Sequence, residues 1–160
     1  RDHNARHYVK INEGRTISYI EHMVAHDKSG GQDRGLTKIF IFFLEGKKIA
    51  HLGDMCDVSN TRILEFIKGM DVILCPINNF YTMGPDEARI LADYCKPKLI
   101  IPMHYFSNKH RSGYEDGNQI ERFEKFFPNN IKVEGPEIDV DEYLGKYESV
   151  IIEDALQMEK

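Results

Sequence analysis

The sequence predicts an α/β fold in which a mixed β-sheet carries helices on one face. Three observations lead to this fold class. Strand-like segments joined by a tight turn fill the first third of the chain. Two short, almost wholly apolar strands follow, and each is preceded by an amphipathic helix. Finally, 160 residues that are 41% hydrophobic and 29% charged have the size and composition of one globular domain, so residues 1–160 are expected to form a single domain.

The first part of the chain has the pattern of antiparallel strands. Residues 14–26 are rich in β-branched and apolar side chains, which favour a strand. The glycines and charges of residues 27–35 indicate a loop. Residues 36–54 then predict two strands joined by a tight hairpin at Glu45-Gly46.

Helices and short strands alternate along the rest of the chain. Helices are predicted within residues 59–70, 85–95 and 116–127, and strands within 71–76, 98–102, 130–135 and 148–154. Ser59 is the expected N-cap of the first helix, and Pro85 suits the first position of the second. The acidic stretch 134–142 is interpreted as a solvated connection between the last two strands.

Composition excludes several classes of protein. There is no apolar run of about 18 residues, so no membrane span is expected. A net charge of −5 argues against phosphate-driven binding of nucleic acid. Three scattered cysteines (Cys56, Cys75 and Cys95) form neither a disulfide framework nor a CxxC site, which favours free thiols and a cytoplasmic location.

Three polar residues share a position directly after predicted strands: His26, Asp54 and His104. If these strands lie side by side, their ends meet at one edge of the sheet, and two imidazoles with one carboxylate form a partial ligand set for Zn²⁺ or Mn²⁺. Each residue also has a structural interpretation. Gly53-Asp54 is a common turn pair, His104 could be a core histidine and His26 a capping residue.

Longer segments around these residues resemble a known family. The segments AHDKSGGQDRGLTKIFIFFLEGKKIAHLGD, DVILCPINNFYTMGPDEA and PKLIIPMHYF resemble the C-terminal half of the metallo-β-lactamase superfamily. The branch they resemble is that of ascorbate-6-phosphate lactonase and related metal-dependent hydrolases, and the resemblance covers about residues 16–127. It implies half of a four-layer α/β/β/α sandwich, with two divalent ions, Zn or Mn, in the complete site.

The resemblance also assigns roles to residues. It implies that His26 ligates one metal ion, that Asp54 bridges two and acts in catalysis, and that His104 ligates the second. The reaction implied is hydrolysis of an anionic small-molecule ester, lactone or phosphodiester by a metal-bound hydroxide. The HxHxDH motif of the family, which supplies most remaining ligands, is absent, since the histidines of residues 2–7 have another spacing.

Further residues are expected near the same edge of the sheet. The family's Pro-x-Gly-Gly loop reads Pro-Ile-Asn-Asn here, which places Asn79 at a more polar opening. Tyr81 and His110 are candidate substrate contacts, although Tyr81 could pack over its loop and His110 could be solvated. His51 could orient the Asp54 carboxylate from behind, or be a packed strand residue.

The number of helices suggests a partner. Three helices cover one face of such a sheet, and an exposed apolar second face would forfeit on the order of 10 kcal/mol of burial. We therefore expect an N-terminal half, or a second copy in an oligomer, to cover that face. The alternative to an enzyme is a non-catalytic subunit or degenerate homologue that uses its open sheet face for assembly.

Overall fold

The fold is an eight-stranded mixed sheet with three α-helices, seen in a computed structural model that describes residues 6–10, 16–105, 119–135 and 137–153. The strands are β1 (His7–Lys10), β2 (Thr16–Ala25), β3 (Leu36–Leu44), β4 (Lys47–His51), β5 (Val72–Pro76), β6 (Leu99–Met103), β7 (Asn130–Glu134) and β8 (Ser149–Glu153). The helices are α1 (Thr61–Phe66), α2 (Pro85–Cys95) and α3 (Gln119–Phe126), with one 3₁₀ turn at Val140–Glu142. No helix in these described ranges is long and apolar enough to cross a membrane.

Strand order and direction fix where the loops emerge. The order across the sheet is β1-β2-β3-β4-β5-β6-β8-β7. Strands β1 to β4 pair antiparallel as a meander, and β4 to β8 pair parallel. Because β3 runs against both of its neighbours, β2 points the same way as β4, β5 and β6. The carboxyl ends of these four strands therefore lie at one edge of the sheet, which is called the rim below.

Turn chemistry explains the predicted boundaries that are correct. Glu45 (φ +50°) and Gly46 (φ +76°) both have positive φ, as a two-residue type I′ hairpin requires. Pro85 occupies the first position of α2, where its missing N–H leaves no bond unmade. The predicted cap of α1 is wrong by one residue: Asn60, not Ser59, is the N-cap, and its side chain accepts a hydrogen bond from the Arg62 N–H.

The main hydrophobic core lies between the sheet and the helices. Its sheet side includes Ile39, Ile41, Ala50, Ile73 and Ile100, and its helix side includes Ile63, Leu64, Leu91 and Phe123. Within β3 and β5 the core residues stand at every second position (Ile39 and Ile41, Ile73 and Cys75), so one face of the sheet packs in this core. The predicted fold class, a mixed sheet with helices on one face, is confirmed.

The second sheet face is partly covered by the chain itself, which corrects the interpretation of residues 134–142 as a solvated connection. The acidic side chains of this stretch are exposed, but Ile138 and Val140 pack with the following Tyr143 and Leu144 on a second cluster around Val72, Leu99, Ile101 and Val150. Helical periodicity does not reveal this packing because the apolar residues alternate with acidic ones over a very short segment.

The β1–β3 end of the same face carries an aromatic patch, defined as His7, Tyr19, Phe40 and Phe42. The His7 and Tyr19 rings stack at 4.9 Å between centroids, and those of Phe40 and Phe42 stack at 5.9 Å. Tyr19, Phe40 and Phe42 are half-buried, whereas His7 is exposed. The second face is therefore buried at its β6–β8 end and half-open at this end.

Candidate functional site

The rim brings together the three residues that follow predicted strands. His26 directly follows β2, Asp54 lies three residues beyond β4, and His104 directly follows β6. Their side chains meet at Asp54. The His26 Nε2 atom lies 3.6 Å from Asp54 Oδ2, and the His104 Nε2 atom lies 3.3 Å from Asp54 Oδ1. Each imidazole thus faces a different oxygen of one carboxylate, at a separation that a shared cation could bridge.

The exposure of these side chains is uneven. Asp54 and His104 are 39% and 41% exposed, whereas His26 is 24% exposed. The His26 Nε2 atom is buried and makes no hydrogen bond within the described residues, since 3.6 Å is too long for one. A buried imidazole nitrogen without a partner is costly, and a divalent cation beside Asp54 would satisfy it. The donor set therefore fits Zn²⁺ or Mn²⁺.

Three side chains do not make a complete metal site. Across the described ranges there is no cluster of three or more His, Cys, Asp or Glu side chains arranged to hold a metal ion by themselves. The assignment of His26, Asp54 and His104 as ligands accordingly stays a prediction. The structure establishes that they converge at one carboxylate.

The turn that carries Asp54 is fixed from two sides. Gly53 has φ +53°, and a Cβ atom there would lie well inside van der Waals contact with the Lys38 carbonyl oxygen of β3. The Gly53 N–H donates to His51 Nδ1 at 3.1 Å, and the Asp54 N–H points at Thr37 Oγ1 at 3.5 Å. His51 therefore braces the backbone of the turn, and its role in orienting the Asp54 carboxylate stays a prediction.

Burial has a consequence for His51 itself. Desolvation lowers the pKa of His51, against weaker opposing effects of a hydrogen bond and the nearby Asp54 charge. The neutral ring with an unprotonated Nδ1 is the form that can accept from the Gly53 N–H. The same burial that lowers the pKa thus keeps the turn hydrogen-bonded at neutral pH.

A buried carboxylate organises the loop that starts at His26. Asp27 is 2% exposed, and its oxygens accept from the Ser29 N–H (2.9 Å) and hydroxyl (2.8 Å) and from the N–H groups of Gly31 (2.7 Å), Asp33 (3.0 Å) and Arg34 (2.7 Å). Burial alone would raise the pKa of Asp27, but these bonds to the charged form hold it well below its usual range. The His26 N–H closes the loop by donating to the Gly35 carbonyl at 3.0 Å. The Asp27 carboxylate thus fixes where His26 sits.

His104 has a backbone conformation that is uncommon for its residue type. Its φ is +53°, in the left-handed region where non-glycine residues are strained. The preceding strand β6 is buried along most of its length and pairs with β5 throughout, so the sheet fixes this conformation. The strained residue lies at the rim beside Asp54, where positioning matters more than local stability.

The other predicted site residues are placed as follows. Asn79 (φ +72°) and Tyr81 are exposed in the loop after β5, between the Asp54 and His104 loops. The Tyr81 ring lies 5.5 Å from the Arg34 guanidinium carbon and is 55% exposed, and its role as a substrate contact stays a prediction. His110 lies outside the described residues.

Two residues near the site escaped the sequence interpretation as site residues. The clustering of serine and glycine after Asp27 is a local signal for a carboxylate that collects backbone N–H groups, so Asp27 could have been found. Arg34 carries no comparable local signal, because its partners Phe80 and Tyr81 are distant in sequence.

Known proteins are similar to this chain in both sequence and fold. A family model described as a β-lactamase superfamily domain matches residues 6–104. A UPF0173 metal-dependent hydrolase of Symbiobacterium thermophilum is 38% identical over 69 residues, which are 41% of this chain and 31% of that protein. Another, from Listeria innocua, is 40% identical over 71 residues, 44% of this chain and 31% of that protein. The matched region thus spans about a third of the length of these curated relatives.

A solved structure extends the likeness to the whole fold. It comes from Thermotoga maritima and is assigned to the Zn-dependent hydrolases of the metallo-β-lactamase superfamily. The two share 28% identity and a TM-score of 0.68 over 92% of this chain and 69% of that chain. The family model covers well over half of the 160 residues, and the fold agrees with it. This chain therefore belongs to the β-lactamase superfamily, with the metallo-β-lactamase fold.

Proposed function

We propose that this chain supplies part of the dinuclear active site of a metal-dependent hydrolase that cleaves an ester, lactone or phosphodiester. The observation that carries the proposal is the arrangement at Asp54. Two imidazole Nε2 atoms face its two oxygens at 3.6 and 3.3 Å, and the Nε2 of His26 is buried without a described partner. The similar proteins are metal-dependent hydrolases and a Zn-dependent hydrolase by name, which supports the same reaction class.

The exposure of the three side chains suggests which metal ion each of them would hold. His26 would hold one ion from the protein side, His104 would hold the other from the solvent side, and the Asp54 carboxylate would contact both. Bound Zn²⁺ or Mn²⁺ supplies Lewis acidity and lowers the pKa of coordinated water. Because Asp54 and His104 are the more exposed residues, substrate would approach from their side.

The proposed enzyme needs a cover for the aromatic patch. His7, Tyr19, Phe40 and Phe42 lie on the sheet face opposite the helices, at the end that residues 138–144 do not reach. We propose that an N-terminal half, or a second copy of the chain, packs there. Of the two, the N-terminal half would also carry the HxHxDH ligands that complete the set. The three buried free cysteines support a cytoplasmic location for the assembly.

The test compares two carboxylates in the full-length protein. Asp54→Asn should lower the bound metal, measured by inductively coupled plasma mass spectrometry, and reduce turnover of aryl esters and phosphodiesters. We expect metal affinity and turnover to fall by more than the roughly 10- to 100-fold that follows removal of a residue hydrogen-bonded to a metal ligand. Asp57→Asn is the matched control, because the Asp57 side chain accepts from the Ser59 N–H (2.8 Å), which an amide can also do.

Two outcomes would overturn the proposal. Unchanged metal content in Asp54→Asn would remove Asp54 from the site. Metal-free, inactive full-length protein that still assembles through the aromatic patch would favour the non-catalytic subunit or degenerate homologue instead.

A further inference from the structure

The loop after β5, residues 77–84, is held between the two loops that carry Asp54 and His104. Its Ile77 N–H donates to the Met103 carbonyl at 3.0 Å, and its Met83 N–H donates to the Met55 carbonyl at 3.0 Å. Met103 precedes His104, and Met55 follows Asp54. The loop therefore lies next to both predicted ligands by direct backbone contact.

The backbone at the tip of this loop is held by hydrogen bonds, although two aromatic side chains are exposed there. The buried Asn78 side chain accepts from the N–H groups of Phe80 (3.2 Å) and Tyr81 (3.1 Å), and the buried Thr82 hydroxyl accepts from the Asn78 N–H (3.0 Å). Phe80 and Tyr81 are nevertheless 48% and 55% exposed. A fixed backbone that presents two large aromatic rings to solvent, beside a candidate metal site, is a surface suited to binding.

Arg34 brings a positive charge to the same surface. Its backbone is fixed by the bond to Asp27, and its Nη1 atom donates to the Phe80 carbonyl at 3.1 Å. The guanidinium carbon lies 5.5 Å from the Tyr81 ring centroid, within the range of a cation–π contact. Arg34 is exposed, and within the described part of the chain it has no carboxylate partner in ion-pair distance.

The neighbouring cation is different. Lys28, in the same loop, is neutralised by Glu87 at 2.9 Å, and that hydrogen bond raises the pKa of Lys28. Arg34 therefore combines a held guanidinium with donors left for a ligand. Such a planar fork matches a carboxylate or phosphate group.

We propose that Arg34, Phe80 and Tyr81 form a recognition site for an oxyanionic group that the substrate carries in addition to its scissile bond. Arg34 binds the oxyanion, and the two rings contact the apolar part that joins it to the scissile bond. The inference rests on the proposed hydrolase function, because it places this surface beside the reacting centre. A purely structural Arg34 would instead tie residues 27–35 to residues 77–84 without discriminating among substrates.

A matched pair of esters tests the recognition site in the full-length protein. 4-Nitrophenyl acetate is neutral, and mono-4-nitrophenyl succinate adds a methylene that carries one carboxylate. Wild-type protein should favour the succinate in kcat/KM, and Arg34→Gln should reduce that ratio about tenfold, as loss of a charge-assisted hydrogen bond predicts. Arg34→Lys should be intermediate, since it keeps the charge without the fork. Arg62→Gln, an exposed change on α1, should leave the ratio unchanged.

A binding experiment separates this inference from the proposed reaction. In protein stripped of metal with EDTA, benzoate and phenylphosphonate should shift the amide resonances of Phe80 and Tyr81, and neutral benzyl alcohol should not. The tighter of the two anions identifies the oxyanion as carboxylate or phosphate. Arg34→Gln should abolish these shifts and Asp54→Asn should keep them. Equal anion binding in wild type and Arg34→Gln, or an unchanged ester ratio, would overturn the recognition site even if metal-dependent turnover is found.

Discussion

Replacing Gly53 by alanine should destabilise the protein more than the same change at a glycine with room for a side chain. Two costs combine at Gly53. Its φ of +53° is unfavourable for alanine by about 1–2 kcal/mol. The new Cβ atom would also collide with the Lys38 carbonyl, and the backbone movement needed to relieve this adds about 1–3 kcal/mol.

Gly69 provides the matched control. Its φ is +73°, and a Cβ atom there would meet nothing within 4 Å, so Gly69→Ala should cost only the conformational part, about 1–2 kcal/mol. Urea unfolding of the full-length variants should therefore give a total loss of about 2–5 kcal/mol for Gly53→Ala. Metal affinity should fall in Gly53→Ala and not in Gly69→Ala, because Asp54 is the next residue. Equal stability losses in the two variants would refute the claim that the Lys38 carbonyl constrains the turn.

Three further outcomes are expected. Asp27→Asn should lower the urea midpoint at pH 7, because the folded-state pKa of Asp27 lies below its unfolded value of about 3.8. The stabilisation by the charged carboxylate is complete above pH 3.8 and is lost on acidification. The urea midpoints of wild type and variant should therefore converge as the pH falls below 3.8, and parallel curves would contradict this. In EDTA-treated protein the His51 ring should titrate below pH 6.5 by NMR, and the stability of the protein should fall as the pH drops through the His51 titration. His51→Ala should cost about 1 kcal/mol, because it leaves the Gly53 N–H without its acceptor. A titration midpoint above 6.5 would exclude a neutral His51 ring as the acceptor. Arg89→Gln should cost about 1–3 kcal/mol in chemical unfolding, because Arg89 joins Asp93, Glu148 and the Phe126 carbonyl while covering the Phe127 ring. Arg122→Gln, which removes an exposed ion pair with Asp86, should change the free energy of unfolding by no more than about 0.5 kcal/mol.

Local chemistry explains which parts of the fold the sequence could predict. The Glu45-Gly46 hairpin and the start of α2 at Pro85 follow from turn and proline conformations that depend on neighbouring residues alone. The alternation of helices with apolar strands also favours parallel neighbours, since parallel strands need a crossover connection that is usually a helix. The shared rim for His26, Asp54 and His104 follows from that direction together with the meander.

Tertiary contacts explain what the sequence could not show. Ile138 and Val140 look like part of an acidic connection until they are seen against Leu99 and Val150. Arg34 is unremarkable in sequence because its contacts with Phe80 and Tyr81 join loops more than forty residues apart. The N-cap of α1 at Asn60 instead of Ser59 is a minor difference, because both are good capping residues and only the backbone geometry decides between them.

The antiparallel meander at the start of the sheet has a consequence for the order of folding. β2, β3 and β4 are joined by short connections, so their pairing closes small loops and forms readily. His26 and Asp54 follow two strands of this unit, β2 and β4. His104 arrives later, because β6 reaches its place through two parallel crossovers with α1 and α2. A folding intermediate that contains the meander alone would already present a histidine and a carboxylate to a passing cation, and metal ions added during refolding should accelerate or trap that stage.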